Sequence, residues 1–111
     1  MDTNEAAHRY RKRQALRRSL ESVARAFAAL DKPQEVQAFL RDLCTPAELE
    51  AMADRWRVVP LLRKGVPYRE IYDLTGVSVT TIGRVARSLE HGSGGYATAI
   101  ERIAARKTES N

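Results

Sequence analysis

Arginine and hydroxyl side chains follow a short turn within residues 68–89, and this segment is the part of the sequence best suited to binding chemistry. Thr75-Gly76-Val77-Ser78 has the composition of a tight turn, because Gly76 can adopt a positive φ and Ser78 can cap a following helix. Two short helices joined by such a turn form a helix-turn-helix, whose second helix enters the major groove of DNA. The pattern predicts a site for double-stranded DNA.

The predicted contacts lie on the exposed side of the second helix and at the start of the first. Small residues allow close approach to the groove, and guanidinium groups suit phosphate or guanine. The predicted DNA-binding residues are Arg69, Ser78, Val79, Thr80, Thr81, Gly83, Arg84 and Arg87. We expect Arg69 and the start of the second helix to read bases, and the later arginines to hold phosphates. An ordinary αα-hairpin with surface arginines is the alternative.

Catalytic and metal-binding patterns are not found in the sequence. His8 and His91 lie far apart, and Cys44 is the single cysteine, so no Cys/His set has metal-ligand spacing. No nucleophile has a nearby base, and the glycine-rich stretch 92–95 lacks the strand and lysine of a phosphate-binding loop. We therefore expect no enzyme activity and no metal.

Composition favours a nucleic-acid partner. The 111 residues carry a net charge of +5, with 15 Arg and 4 Lys, and the isoelectric point is about 9.8. No apolar run approaches the roughly 18–20 residues of a membrane span, and the amino terminus lacks the apolar core of a secretory signal. A single cysteine argues for a reducing compartment. The expectation is a protein of the bacterial cytosol or nucleoid, with no membrane partner.

Helical periodicity predicts an all-α fold of six helices. Leu16, Leu20, Val23, Phe27 and Leu30 are spaced 4, 3, 4 and 3, which is an a/d seam. Within residues 9–18, six positive charges indicate either a solvated helix face or a flexible basic arm. The predicted single domain, 1–111, consists of a long helix with a basic start over 5–30, core helices over 33–65, the helix-turn-helix over 67–91, a last helix over 96–106 and a disordered tail over 107–111.

Helix boundaries follow from capping residues and breakers. Pro33 and Pro46 suit first helical positions, and Gly65 suits the position after a helix end. Pro60 is expected to bend the third helix without ending it, because apolar residues continue beyond it. Trp56 and Tyr96 are expected to pack within the fold.

The apolar seam also predicts a homodimer. The short helices that follow offer little to cover it, and a chain this small buries only about 65% of its unfolded surface. Pairing two chains would cover the seam and place two recognition helices about 34 Å apart, one turn of DNA. A monomeric bundle with the first helix folded back is the alternative.

Three stretches resemble the Trp repressor superfamily, and within it the YerC/YecD-type branch of Trp-repressor-related proteins. They are LCTPAELEAMADRWRVVPLLRKG, YREIYDLTGVSVTTIGRVARSL and GSGGY, and the resemblance extends from about Phe39 to Ile103. It implies an intertwined homodimer that presents two helix-turn-helix units to a palindromic operator and acts as a transcriptional repressor.

The same resemblance implies an effector pocket. Thr45, Arg55 and Arg84 match family positions that line the site of the corepressor tryptophan; Arg55 would stack on the indole and Arg84 would hold the carboxylate. Leu49 replaces an arginine of that region, and Val85 replaces the glycine that leaves room for the ring. An added isopropyl group fills or closes a fitted pocket, so we expect no tryptophan and no cofactor. Two alternatives remain: the pocket binds a different small effector, or its own side chains close it.

A sequence-specific, homodimeric transcriptional repressor is therefore the leading functional prediction. Two alternatives remain: a helical dimer that binds protein or RNA, and a non-specific DNA-binding protein that uses the basic segment 9–18.

Overall fold

A computed structural model of the chain describes residues 3–110 as six α-helices, and no strand is found in that range. This confirms the predicted all-α class and number of helices. The helices are α1 (Thr3–Ala29), α2 (Pro33–Leu43), α3 (Pro46–Arg63), α4 (Tyr68–Thr75), α5 (Val79–His91) and α6 (Gly95–Ser110). Residues 9–18 are part of α1, so the basic segment is helical rather than a flexible arm.

Proline and glycine set the ends of α3 as the sequence predicts. Pro46 is its first residue, and Pro60 lies inside it without ending it. After Arg63 the chain turns at Gly65, where φ is +79°. The Gly65 N–H donates to Leu62 O at 3.0 Å and the Val66 N–H donates to Leu61 O at 3.1 Å. This pair of bonds is the Schellman motif, which satisfies the last carbonyl groups of a helix.

The prediction for the carboxyl-terminal segment is wrong over most of its length. The predicted last helix ends at residue 106 and is followed by a disordered tail over 107–111, whereas α6 continues to Ser110. No glycine or proline interrupts this stretch, and the Thr108 hydroxyl donates to Ala104 O at 3.1 Å within the helix. Residue 111 lies outside the described range.

The chain forms two compact units, one ending at Thr45 and the other beginning at Pro46. The first unit contains α1 and α2, in which no described residue is buried. Phe27 and Phe39 make an edge-to-face contact with ring centroids 5.1 Å apart. An aromatic contact of this kind joins the two helices.

The second unit contains the buried core of the described residues. Four elements contribute to it: α3, α4, the turn after α4, and α5. The buried side chains are Val58, Val59, Ile71, Val77, Ile82 and Val85. Trp56 of α3 stacks on Tyr96 of α6 with ring centroids 6.3 Å apart, and Tyr96 and Ile100 pack against the core. These contacts tie α6 to the same unit.

No described helix has both the length and the apolar content needed to cross a membrane.

The junction between α5 and α6 yields a stability prediction. A Cβ at Gly92 would overlap the backbone carbonyl oxygen of Ser88, whereas a Cβ at Gly95 would meet nothing within 4 Å. We expect Gly92→Ala to lower the free energy of unfolding by about 1–3 kcal/mol, because backbone must shift. Gly95→Ala should be neutral or raise it by up to about 1 kcal/mol. Urea unfolding of both variants measures the difference, and equal effects would contradict the assignment.

Candidate nucleic-acid interface

A tight turn joins α4 to α5. Gly76 follows the last residue of α4 with φ +75° and ψ 1°, and its N–H donates to Tyr72 O at 2.8 Å. A side chain in this left-handed conformation would be strained, which explains the glycine. Val77 then places its side chain in the core. The predicted helix-turn-helix geometry depends on these two residues.

Thr75 links both sides of this turn through one hydroxyl group. Its Oγ1 donates to Ile71 O at 2.6 Å and accepts from the Val77 N–H at 3.1 Å. The hydroxyl therefore satisfies a backbone N–H that no longer has a helical partner. The end of α4 and the start of the turn are held together by the same atom.

Arg57 contacts the turn from α3 and is not among the site residues predicted from the sequence. Its Nη2 donates to Thr75 O at 2.9 Å and to Asp54 Oδ1 at 3.1 Å. A cation at the carbonyl end of a helix also interacts favourably with the helix dipole. The spacing of Asp54 and Arg57 on α3 is a recognisable ion-pair signal, but the contact with Thr75 links residues 18 positions apart.

Ser78 caps α5, as predicted. Its Oγ accepts the Thr81 N–H at 3.1 Å and donates to Thr81 Oγ1 at 3.0 Å. The first turn of α5 is thereby closed by a short, exposed side chain rather than by a bulky one. Ser78 leaves the helix start open to an approaching partner.

The buried face of α5 determines which residues point outward. Ile82 and Val85 are three positions apart and are both buried in the core with Ile71 of α4. Because residues three apart share one face of a helix, the opposite face is directed to solvent. The core contacts thus hold α5 in one orientation.

Six of the eight predicted DNA-binding residues are exposed: Arg69, Ser78, Val79, Thr80, Arg84 and Arg87. Thr81 and Gly83 are half-buried. Thr81 also accepts a hydrogen bond from the Ser78 hydroxyl. Val79 is 49% exposed, and such an apolar group at the helix start suits contact with a thymine methyl.

Gly83 lies between an aromatic ring and a guanidinium group. A Cβ at this position would be 3.8 Å from Tyr68 Cε2 and 3.9 Å from Arg87 Nη1. Tyr68 is exposed, so its ring borders the same surface as Arg87, although it is not among the site residues predicted from the sequence. A Cβ at position 83 would therefore meet both groups at ordinary van der Waals distance.

The cations of this surface are available for an anionic partner. Among the described residues, Arg69, Arg84 and Arg87 form no ion pair, although Arg57 does. No described cluster of three His, Cys, Asp or Glu side chains has the arrangement of a metal site. The surface presents guanidinium, hydroxyl and methyl groups, which are the groups that recognise DNA.

The four predicted effector-pocket residues differ in their surroundings. Val85 is only 1% exposed and belongs to the core, whereas Arg55 is half-buried and Arg84 is exposed. Thr45 lies in the first unit. A surface depression of about 570 Å³ in the second unit is lined by Leu62, Val66, Tyr68, Leu89 and neighbouring residues, and by none of these four.

Comparison with known proteins gives consistent matches. The family model described as "Trp repressor protein" matches residues 18–104. "Uncharacterized protein YerC" of Bacillus subtilis (strain 168) is 35% identical over 94 residues, covering 85% of this chain and 90% of that protein. The crystal structure of a TrpR like protein from Eubacterium eligens ATCC 27750 is similar with a TM-score of 0.72 and 34% identity, covering 78% of this chain and 90% of that one.

Two substitutions at Ser78 separate stability from DNA binding. Asn and Asp both cap helices as well as Ser does. We therefore expect the free energy of unfolding of Ser78→Asn and of Ser78→Asp to differ from that of the native chain by no more than about 0.5 kcal/mol. Only Asp adds a negative charge at the surface that should face phosphates. Its affinity for duplex DNA should be at least about tenfold below that of Asn, with a smaller gap at high salt. Equal binding of the two variants in fluorescence anisotropy would contradict this orientation.

Proposed function

The chain belongs to the Trp repressor family, and we propose that it is a homodimeric, sequence-specific DNA-binding regulator that represses transcription at a palindromic operator. The observation that carries this proposal is the fixed orientation of α5. Its inner face is buried through Ile82 and Val85, while Val79, Arg84 and Arg87 remain exposed. Members of this family are DNA-binding regulators rather than enzymes, and a role on chromosomal DNA would place the protein in the bacterial cytosol.

In the proposed complex, α5 enters the major groove with its amino-terminal end foremost. Val79 and Thr80 then read base edges, because the first residues of a recognition helix reach furthest into the groove. Arg69 at the start of α4 reads a further base. Arg84 and Arg87 hold the phosphate backbone, which positions the helix without reading sequence.

The exposed seam of α1 supports a dimer. Leu16 is 68% exposed and Leu20 is 65% exposed in the single chain, while Val23, Phe27 and Leu30 are half-buried. An a/d seam of this kind is favourable only when a second helix covers it. We propose that a second copy of the chain does so, because two identical copies also explain a palindromic operator.

Tryptophan is not the effector in this proposal. The position at which a glycine would leave room for the indole ring is occupied by Val85, whose side chain is buried in the core. A ring placed there would have to displace well-packed core atoms, and such overpacking is unfavourable. Regulation would come from another small molecule or from the protein's concentration alone.

Selection of bound duplexes from a random pool tests the proposed function. A palindromic consensus supports a sequence-specific dimer. Bound sequences without a consensus favour a non-specific DNA-binding protein, and no bound DNA favours a module that binds protein or RNA.

Arginine substitutions test the division of contacts on the selected site. Arg69→Ala should weaken binding to the best site by about 1–3 kcal/mol and relax the preference at one base pair. Arg87→Ala should weaken binding to all sequences equally. It should also reduce the slope of the logarithm of the binding constant against the logarithm of the salt concentration by about one unit per half-site. Anisotropy on consensus and scrambled duplexes across a salt series measures both effects. The reverse assignment follows if Arg87→Ala alone changes the preference.

A glutamate in the seam tests the dimer. Leu20 is 65% exposed in the single chain, so Leu20→Glu buries no charge in a monomer but places one within a dimer interface. We expect light scattering at micromolar concentration to show the native chain as a dimer and Leu20→Glu as a monomer or unfolded chain. Ser22→Glu, which adds the same charge on the opposite side of α1, is the control and should remain a dimer. A well-folded native monomer would refute the proposal.

A further inference from the structure

Residues 9–18 of α1 carry a dense positive cluster that the helix-turn-helix does not use. We call it the basic segment, and it comprises six residues within ten positions: Arg9, Arg11, Lys12, Arg13, Arg17 and Arg18. All six are exposed, and all belong to the continuous helix Thr3–Ala29. The charges are therefore held at defined positions along a helix.

Acidic partners are scarce around this segment. Of the described acidic side chains, Glu5 alone reaches it, with Oε2 3.9 Å from Arg9 Nη1. Arg9, Arg13 and Arg17 are each four positions apart, and like charges at this spacing repel on a helix surface. An external polyanion would relieve that repulsion.

The charges surround the helix rather than forming one face. At about 100° per residue, Arg11 and Arg18 lie roughly opposite Arg9 and Arg13. A helix that lies on a membrane surface needs its cations on one side and an apolar face on the other. Cations on opposite sides instead match the two phosphate backbones that border a groove of duplex DNA, as in helices that cross the major groove.

We propose that the basic segment is a second DNA-binding element, which holds phosphates of duplex DNA independently of sequence. It differs from the proposed recognition of an operator by α5, because its contacts require only the backbone charge. Its contribution is to raise the affinity for any duplex and to make that affinity strongly dependent on salt.

Charge removal with a matched control tests this element in the full chain. Glutamine is a comparable helix former, so the test variant neutralises part of the segment and the control neutralises the same number of exposed cations elsewhere. The test variant is Arg11→Gln/Arg13→Gln/Arg17→Gln/Arg18→Gln, and the control is Arg25→Gln/Arg41→Gln/Arg102→Gln/Lys107→Gln. A third variant with Lys at the four test positions keeps the charge. Circular dichroism checks the helix content of each.

Anisotropy on a long random-sequence duplex across a salt series is the measurement. The salt slope is the slope of the logarithm of the binding constant against the logarithm of the salt concentration. Each lost phosphate contact reduces its magnitude by about 0.9. We expect the test variant to lose at least about two units of slope per chain relative to the control, and at least about tenfold in low-salt affinity. The Lys variant should retain the native slope. The ratio of consensus to random affinity should stay unchanged, because base contacts are untouched.

Equal slopes for test and control variants would overturn the inference. It would also be overturned if the segment bound anionic phosphatidylglycerol vesicles while DNA binding did not change. The proposed function fails separately. If the protein shows no sequence preference but its salt slope still depends on the basic segment, operator recognition is refuted and this element is supported. If a consensus is selected but neutralising the segment leaves the salt slope unchanged, operator recognition is supported and this element is refuted.

Discussion

Burial of one face of α5 is the constraint on which the rest of the second unit depends. Ile82 and Val85 lie in the core with Ile71, Val58 and Val59, and removing them from water contributes about 1.5–3 kcal/mol for each fully buried side chain. Rotation of α5 about its axis would expose these groups. The hydrophobic core therefore sets the direction in which Val79, Arg84 and Arg87 point, although none of these three residues belongs to it.

The turn before α5 adds a second, polar level of control. The Thr75 hydroxyl bridges Ile71 O and the Val77 N–H, and Arg57 donates to Thr75 O. Hydrogen bonds fix distance and direction in a way that apolar contacts do not. Packing thus selects the exposed face of α5, and the hydrogen bonds set where the helix begins.

The first unit follows a different physical rule. No described residue of α1 or α2 is buried, so local helix formation and the Phe27–Phe39 contact contribute without a core of their own. A long helix of this kind gains most of its stability from packing against other elements. Its apolar seam and its basic segment overlap at residues 16–18 of one helix, which brings the proposed dimer contact and the proposed DNA contact into the same element.

Local signals in the sequence determined most helix boundaries, because they act on the backbone within a few residues. Pro33 and Pro46 begin helices, Gly65 and Gly76 follow helix ends with positive φ, and Ser78 caps α5. The family, and with it the fold, could also be identified from sequence stretches. Only the tertiary structure decided which residues meet across the chain. The bond from Arg57 to Thr75 O spans 18 positions, and Tyr68 borders Gly83 from another helix. Helical periodicity assigns a residue to a face, but the neighbour on that face depends on how separate helices pack.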